Sequence, residues 1–347
     1  MISKVIQEEK IIATLKAINK AEKIAIVTHK SPDGDAVGSS LGLYHFLQEQ
    51  EKAVALITPD RMPDYLRFLP GSDEVVAFSD NREAATEIIR EADLLFCLDF
   101  NIPSRTGTMA PLVEDSTARK VMIDHHLEPG DFASICISHP EISSTCELIF
   151  RLICRMGYFS EMSYNSAMCI CAGMLTDTGG LAFNANSPEV YIIMSELLSK
   201  GIDKDELYRR LFNTHKEARM RLMGRFLENM EVITPWHTAI TTLSQSELSK
   251  HQYEPGDTEG FVNLPLSIEG VFFSVFLRQS GDTVKLSFRS QGEFPCNTFA
   301  ADLFGGGGHK NAAGGESNDS LEVTKQRIIE ALPHYQREFE ANAQLGF

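Results

Sequence analysis

Long apolar runs, paired cysteines and positive charge are what this 347-residue sequence has little of. No stretch approaches the roughly 18 consecutive apolar residues of a membrane-crossing helix. Residues 1–10 are charged where a secretory leader needs an apolar core. Both absences lead us to expect a cytoplasmic protein with no membrane partner. The 7 cysteines are odd in number, scattered and never spaced C-x-x-C, which excludes a disulfide framework. Cys169 and Cys171, two positions apart, face different ways on a helix, so all seven read as small buried hydrophobes rather than thiolate ligands. Lys and Arg total 32 against 48 Asp and Glu, a formal charge of −16. That balance excludes a long duplex-binding surface, because non-specific affinity for nucleic acid comes from many cationic contacts to phosphate. An anionic substrate has to be short and neutralised locally.

What is present is an ordinary globular composition, 43% hydrophobic and 23% charged, with no low-complexity tract. The length favours more than one domain. Residues 4–21 read as an amphipathic helix leading into the buried strand Ile24-Ala25-Ile26-Val27-Thr28-His29. Lys30-Ser31-Pro32-Asp33-Gly34-Asp35 follows, then a helix opening on small residues that let it sit close to the sheet. Residues 54–57, 74–78, 93–99 and 120–124 read as further strands, with a helix over 83–91. Strands alternating with helices imply a doubly wound parallel sheet, whose ligands bind at the carboxyl ends of the strands. His29, Asp33, Asp35, Asp99 and Asp124-His125-His126 all lie just past such ends. One crevice can therefore hold them. Asp35 also suits a helix N-cap, and Asp33-Gly34 a turn, but neither role explains His29. Ser144-Thr145-Cys146-Glu147 reads as a capping box opening a helix to about residue 156. A second helix from about residue 163 runs into Thr176-Asp177-Thr178-Gly179, where Asp177 also suits the polar position before a glycine C-cap.

Residues 187–231 read as successive helices that connect two domains and let the second close over the first. From Trp236 the pattern becomes strand-like over 237–242, 270–277 and 284–290, with a short helix over 297–304, which indicates a smaller α/β domain. The run Gly305-Gly306-Gly307-Gly308-His309-Lys310-Asn311-Ala312-Ala313-Gly314-Gly315 is too structured in its flanks for a linker. Glycines there allow backbone N–H groups to approach a phosphate or a base. Without a following Lys-Ser/Thr it is not an ATP-cradling P-loop. Arg105 and Lys310 are candidate anion contacts, though each more readily reads as a solvated surface charge.

These motifs, in this order, resemble the DHH phosphoesterase superfamily with its DHHA1 domain: His29-x-x-x-Asp33-Gly34-Asp35, Asp99, Asp124-His125-His126, Thr176-Asp177-Thr178-Gly179 and the Gly305–Gly315 stretch. The resemblance implies a catalytic domain over 1–186, a helical connector over 187–231 and a substrate-binding domain over 232–347. It implies two divalent ions, manganese first with magnesium or cobalt as alternatives. His29, Asp33 and Asp99 would hold one ion and Asp35, Asp99, His125 and Asp177 the other, with Asp99 bridging. Asp124 would stand behind the ligands as a catalytic support, and His126 would face the scissile phosphate. Arg289, His309, Gly306, Gly307, Gly308 and Asn311 would bind substrate. Mixed carboxylate and imidazole ligation suits manganese, and four carboxylates balance two dications. Imidazoles must be neutral to ligate, so activity should fall in acid.

The glycine-histidine stretch argues against the DHHA2 branch of pyrophosphatases and exopolyphosphatases. The resemblance then implies hydrolysis of very short oligoribonucleotides to nucleoside 5′-monophosphates, with removal of the 3′-phosphate from pAp as a second activity. Cyclic di-AMP or its linear product pApA is the alternative substrate, and a non-catalytic nucleotide sensor the alternative class. Short single-stranded RNA or small nucleotides are the expected partners, and a homodimer stays open.

Overall fold

The computed structural model describes residues 3–343, so the outermost positions of both expected end domains lie outside the described residues. The chain divides into two compact units, Met1–Thr214 and His215–Phe347. The first runs α1 (Glu8–Lys20), β1 (Lys23–Val27), α2 (Gly34–Glu49), β2 (Ala53–Thr58), β3 (Val76–Ala77), α3 (Arg82–Glu91), β4 (Leu94–Leu98), α4 (Ala110–Asp115), β5 (Arg119–Asp124), β6 (Ile135–Ser138), α5 (Thr145–Arg155), α6 (Tyr164–Asp177), α7 (Pro188–Leu198) and α8 (Lys204–Phe212). Among the described residues its strands form a six-stranded sheet in the order β3-β2-β1-β4-β5-β6, every pair parallel.

Strand side chains alternate between faces, and here both faces are buried. Ile24, Ile26, Leu94, Phe96, Leu98, Val121 and Ile123 enter one core with α2, α5 and α6. Ala25, Val27, Leu95, Cys97 and Met122 enter the other with α3 and α4. Hence the continuous apolar runs in the sequence. The order reverses between β1 and β4, so the connections leave in opposite directions and open a crevice at their carboxyl ends. The short strand β6, which pairs Ile135–Ser138 with β5, escapes sequence reading because four residues carry too little periodicity.

The small residues of α2 do more than seat a helix on a sheet. A Cβ on Gly34 would lie 2.2 Å from Thr176 Oγ1, on Gly38 2.6 Å from the Cys169 carbonyl, and on Gly42 2.5 Å from Ile170. All three contacts are on α6, spaced four apart on α2, so these two helices pack almost backbone to backbone. Ser166 Oγ donates to the Gly42 carbonyl at 2.8 Å across the same seam. Both helices are therefore buried along most of their length, and the end of α6 that carries Asp177 is brought beside the start of α2.

Residues 187–231 contain α7, α8 and a third helix. Val190, Ile193 and Leu197 of α7 and Leu207 and Leu211 of α8 bury their apolar faces in the first unit. Leu222 and Phe226 of α9 (Glu217–Glu228) pack in the second. Each helix follows its own apolar stripe, and the chain parts between them.

The second unit continues with β7 (Glu231–Ile233), β8 (Thr238–Leu243), α10 (Gln245–Lys250), β9 (Phe273–Ser280), β10 (Thr283–Ser290), α11 (Cys296–Phe304), β11 (Gly307–His309), β12 (Ala312–Ser317), α12 (Leu321–Ala331) and α13 (Gln336–Ala343). Its described strands form a mixed sheet, β11-β12-β10-β9-β8-β7, in which only β8 and β9 run parallel. Phe273, Val275, Leu286 and Phe288 on one face pack with Phe299, Ile328 and Phe339. Leu243 and Phe276 on the other pack with Phe226 and Phe261. The glycine run is neither loop nor linker: Gly305 takes φ 58° to close α11, and Gly307 and Gly308 belong to the edge strand β11.

Candidate functional site

The switch point of the first sheet gathers the residues singled out in the sequence. His29 follows β1, Asp35 lies in the first turn of α2, Asp99 follows β4, Asp124 ends β5 with His125 and His126 behind it, and Asp177 ends α6. The N-cap of α2 is Asp33, not Asp35: its Oδ1 accepts from the amides of Asp35 and Ala36, both at 3.1 Å. Asp33 still turns toward the cluster. His29, Asp33 and Asp99 place ligand-type atoms within 4.8 Å of one another, as do Asp35, His125 and Asp177, and as do Asp99, Asp124 and His126.

Asp99 joins these sets. Its Oδ2 lies 3.4 Å from His29 Nε2, while Oδ1 lies 3.7 Å from His125 Nε2 and 3.8 Å from His126 Nδ1. His125 Nε2 is also 3.8 Å from Asp35 Oδ2 and 3.7 Å from Asp177 Oδ2. Asp99 reaches this position by adopting φ 64°, a left-handed backbone that an aspartate tolerates but few other side chains do. Such strain at a strand end is held only where the surroundings over-determine it.

Separations of 3.4–3.8 Å are long for direct hydrogen bonds and suit donors arranged around a shared cation. His29 supplies the clearest test. Its Nδ1 sits 2.8 Å from the Lys30 carbonyl and, as the protonated nitrogen, donates to it. That tautomer leaves the Nε2 lone pair facing Asp33 and Asp99, and Nε2 is buried with no hydrogen-bond partner among the described residues. An orphaned, buried imidazole nitrogen aimed at carboxylates fits a divalent cation. His125 has its Nδ1 3.2 Å from the Ile142 carbonyl and its Nε2 toward three carboxylates. Asp33 and Asp177 have side chains 52% and 27% exposed, so they mark the open side of an otherwise buried cluster.

The charges strain against one another. Burial pulls the His125 imidazole down, but Asp177, Asp35 and Asp99 outweigh it and raise its pKa to about 9. Burial likewise opposes a charged His29, yet Asp33 and Asp99 drive its pKa well above the ordinary imidazole value. Burial and neighbouring carboxylates raise Asp177 to about 7 and push Asp35 up too. Asp99 goes the other way: burial works against its charge, but His29, His126 and His125 hold it ionised. A cluster that gathers protons to offset its own carboxylates is one in which a cation can replace them.

Asp124 holds the neighbouring imidazole in place. It is fully buried, and its two oxygens hold His126, Oδ1 at 2.7 Å from Nδ1 and Oδ2 at 3.1 Å from the backbone amide. The imidazole is thus fixed in orientation by a carboxylate behind it, as a proton-transferring histidine requires. Sequence reading missed one participant. Thr145 donates Oγ1 to Asp99 Oδ1 at 2.9 Å and its amide to Asp35 Oδ2 at 2.7 Å, and the Cys146 amide reaches Asp35 Oδ1 at 2.9 Å. The capping-box pattern hid this role, and the box itself is only half formed. Ser144 Oγ accepts from the Glu147 amide, but the Glu147 carboxylate turns to Ser143 instead.

In the second unit, Arg289, Ala312 and His309 stand opposite one another on β10, β12 and β11, so all three side chains share one face. Arg289 and His309 are two strands apart, about 10 Å at normal strand spacing. The small residue Ala312 lies between them. Two of the glycines have structural causes: a Cβ on Gly306 would fall 2.0 Å from the Gly314 carbonyl, and on Gly308 2.4 Å from that of Ala312. Gly307 would meet nothing within 4 Å. Both amide N–H groups of Asn311 are committed to Ser290 Oγ and the Gly292 carbonyl, so this residue shapes the hairpin. Lys310 is ion-paired with Glu293, and the Arg105 carbonyl ties its loop to the Lys30 amide at 2.8 Å.

Fold and cluster together define a two-unit α/β protein with a carboxylate and imidazole crevice suited to divalent cations at the switch point of its parallel sheet. The chain belongs to the DHH family: residues 23–174 match the DHH family N-terminal domain and residues 238–339 the DHHA1 domain. It is 34% identical over 310 residues to the bifunctional oligoribonuclease and PAP phosphatase NrnA of Thermus thermophilus, covering 89% of each chain. It is 24% identical to the cyclic-di-AMP phosphodiesterase PdeA of Listeria monocytogenes, covering 93% of this chain but 49% of that one. The crystal structure of an exopolyphosphatase-related protein from Bacteroides fragilis is 52% identical, with a TM-score of 0.94 over 98% of this chain and 100% of that one.

Proposed function

We propose that the protein is a divalent-cation-dependent phosphoesterase that hydrolyses very short oligoribonucleotides to nucleoside 5′-monophosphates and removes the 3′-phosphate of pAp. The observation that carries the chemistry is the buried, unpartnered His29 Nε2 facing Asp33 and Asp99, with Asp99 turning its other oxygen to His125. His29, Asp33 and Asp99 hold one cation and Asp35, Asp99, His125 and Asp177 a second, manganese being the reading that mixed oxygen and nitrogen donors favour. Bound there, the pair supplies charge neutralisation for a phosphate ester and an activated water. His126, oriented by Asp124, holds or moves the proton at the reacting phosphate. Arg289 and His309, which share one face of the second sheet, bind substrate phosphate, and the backbone of Gly306, Gly307 and Gly308 lets that phosphate approach. The domains divide accordingly, the first catalytic and the second substrate-binding.

The substrate reading rests on the NrnA relative, which matches this chain over nearly its whole length. The net charge of −16 supports it, since a dinucleotide needs few cationic contacts where a long strand needs a basic groove. No helix among the described residues is long and apolar enough to cross a membrane, and we read the protein as cytoplasmic. Two specific matches favour other substrates, cyclic di-AMP from the Listeria relative and polyphosphate from the description of the Bacteroides structure. Mass spectrometry of products from pAp, pApA, cyclic di-AMP, a five-nucleotide RNA and polyphosphate, each with added manganese, decides among them. The proposal expects turnover of pAp and the linear nucleotides; cleavage of polyphosphate alone would sink it.

A further inference from the structure

We infer that Thr145, at the first position of α5, is a positioning residue that aims Asp99 at both halves of the carboxylate and imidazole cluster. The inference rests on the cation reading above and deepens it. Asp99 is where the cluster is least self-supporting, since its backbone is left-handed and it has to present one oxygen to His29 and the other to His125 and His126. Rotation of this carboxylate about its own axis would break both relations at once. The Thr145 hydroxyl, fully buried, donates to Oδ1 at 2.9 Å and so fixes that rotation.

Thr145 is itself held at its backbone. Its amide and that of Cys146 donate to the two oxygens of Asp35, so one helix end orients a carboxylate from each half of the cluster. Behind it lies a buried strut. Glu147 accepts from Ser143 Oγ at 2.5 Å and from Arg151 Nε at 2.9 Å, and Arg151 reaches on to Glu189 of α7 at 2.5 Å. The glutamate and arginine that anchor the strut are buried, so the start of α5 cannot drift without breaking a charged network. The helix end, rather than the strand that carries Asp99, decides where that carboxylate points.

Three variants separate the hydroxyl from the methyl of Thr145. Thr145→Val keeps the volume and loses the donor, Thr145→Ala loses both, and Thr145→Ser keeps the donor alone. The full chain, freed of ions, is titrated calorimetrically with Mn²⁺ alone, with the melting temperature of each variant recorded to show that it is folded. A buried hydrogen bond to a charged group corresponds to about tenfold or more in affinity. The expected result is Mn²⁺ affinity lowered by about that factor in both Val and Ala, with Ser near the parent. On whichever nucleotide the parent cleaves, kcat should fall in step while KM stays within about twofold. If Val binds Mn²⁺ like the parent, or if Ser and Ala lose affinity while Val keeps it, the hydroxyl does not position Asp99 and the inference is overturned. A parent that binds Mn²⁺ through the hydroxyl-dependent site but cleaves no nucleotide upholds the inference and defeats the substrate reading instead.

Discussion

The two units present their polar groups in opposite ways. In the first, the polar groups leave the carboxyl ends of parallel strands, lie buried, and are oriented by backbone carbonyls, helix amides and one another. In the second, Arg289 and His309 stand on strands of a mostly antiparallel sheet, away from the Leu243 and Phe276 positions that pack with α9 and α10. The Arg289 guanidinium donates one N–H to the Phe288 carbonyl at 3.0 Å. A cation cluster has to be rigid, because ligand geometry sets its affinity, whereas a phosphate contact from a long side chain tolerates adjustment. Substitutions in the first unit should therefore strike turnover and cation binding together, and those in the second should strike substrate affinity.

The largest effect should come from Asp99→Asn, which removes the carboxylate shared by both halves. Losing several kcal/mol of charge stabilisation corresponds to roughly a thousandfold or more in kcat, with Mn²⁺ binding reduced in the same protein. Near-normal turnover would break the comparison outright. His126→Asn should lower kcat by about a hundredfold to ten-thousandfold while leaving Mn²⁺ affinity almost intact, since a proton-transfer group is lost and its neighbours stay. Arg289→Ala should raise KM by about tenfold to a hundredfold with Mn²⁺ affinity unchanged; a matching loss of cation binding would erase the distinction between the units.

The ion-free first unit should also respond to pH in a defined window. Asp177 is raised from an ordinary 3.8 to about 7 and His125 from 6.5 to about 9, so the folded state binds protons that the unfolded chain gives up. Stability from these groups is full below the unfolded values and is lost as pH rises, through about 4 to 7 for Asp177 and 6.5 to 9 for His125. Mn²⁺ competes with those protons, so the rise in Tm on adding it should be greater at pH 8.5 than at pH 6, as read by differential scanning fluorimetry. An equal rise at both would count against the linkage. The smallest effects compare glycines. Gly38→Ala should destabilise by about 1–3 kcal/mol in denaturant melts, because its Cβ has no room against the α6 backbone. Gly307→Ala, facing open space, should stay within about 0.5 kcal/mol.

The parallel sheet was legible because strands buried on both faces read as apolar runs, and the acids and histidines were legible because each interrupts such a run at its end. Asp177 was less so, since the carboxyl end of a helix accepts a polar residue for purely local reasons. Over residues 187–231 helical periodicity shows that an apolar stripe exists, not which core takes it. The edge strand β11 was hidden inside glycines, whose lack of a side chain removes the signal that marks a strand.

By itself, the order of residues along the chain determined which donors the crevice would contain and that a sheet's carboxyl ends would collect them, because periodicity and strand termination are local properties. Only the tertiary structure decided how those donors are aimed: the left-handed turn at Asp99, the Thr145 hydroxyl that steadies it from 46 positions away, and the glycine seam that brings Asp177 to α2. Each depends on two segments distant in sequence meeting at a few ångströms, and no local pattern carries that information.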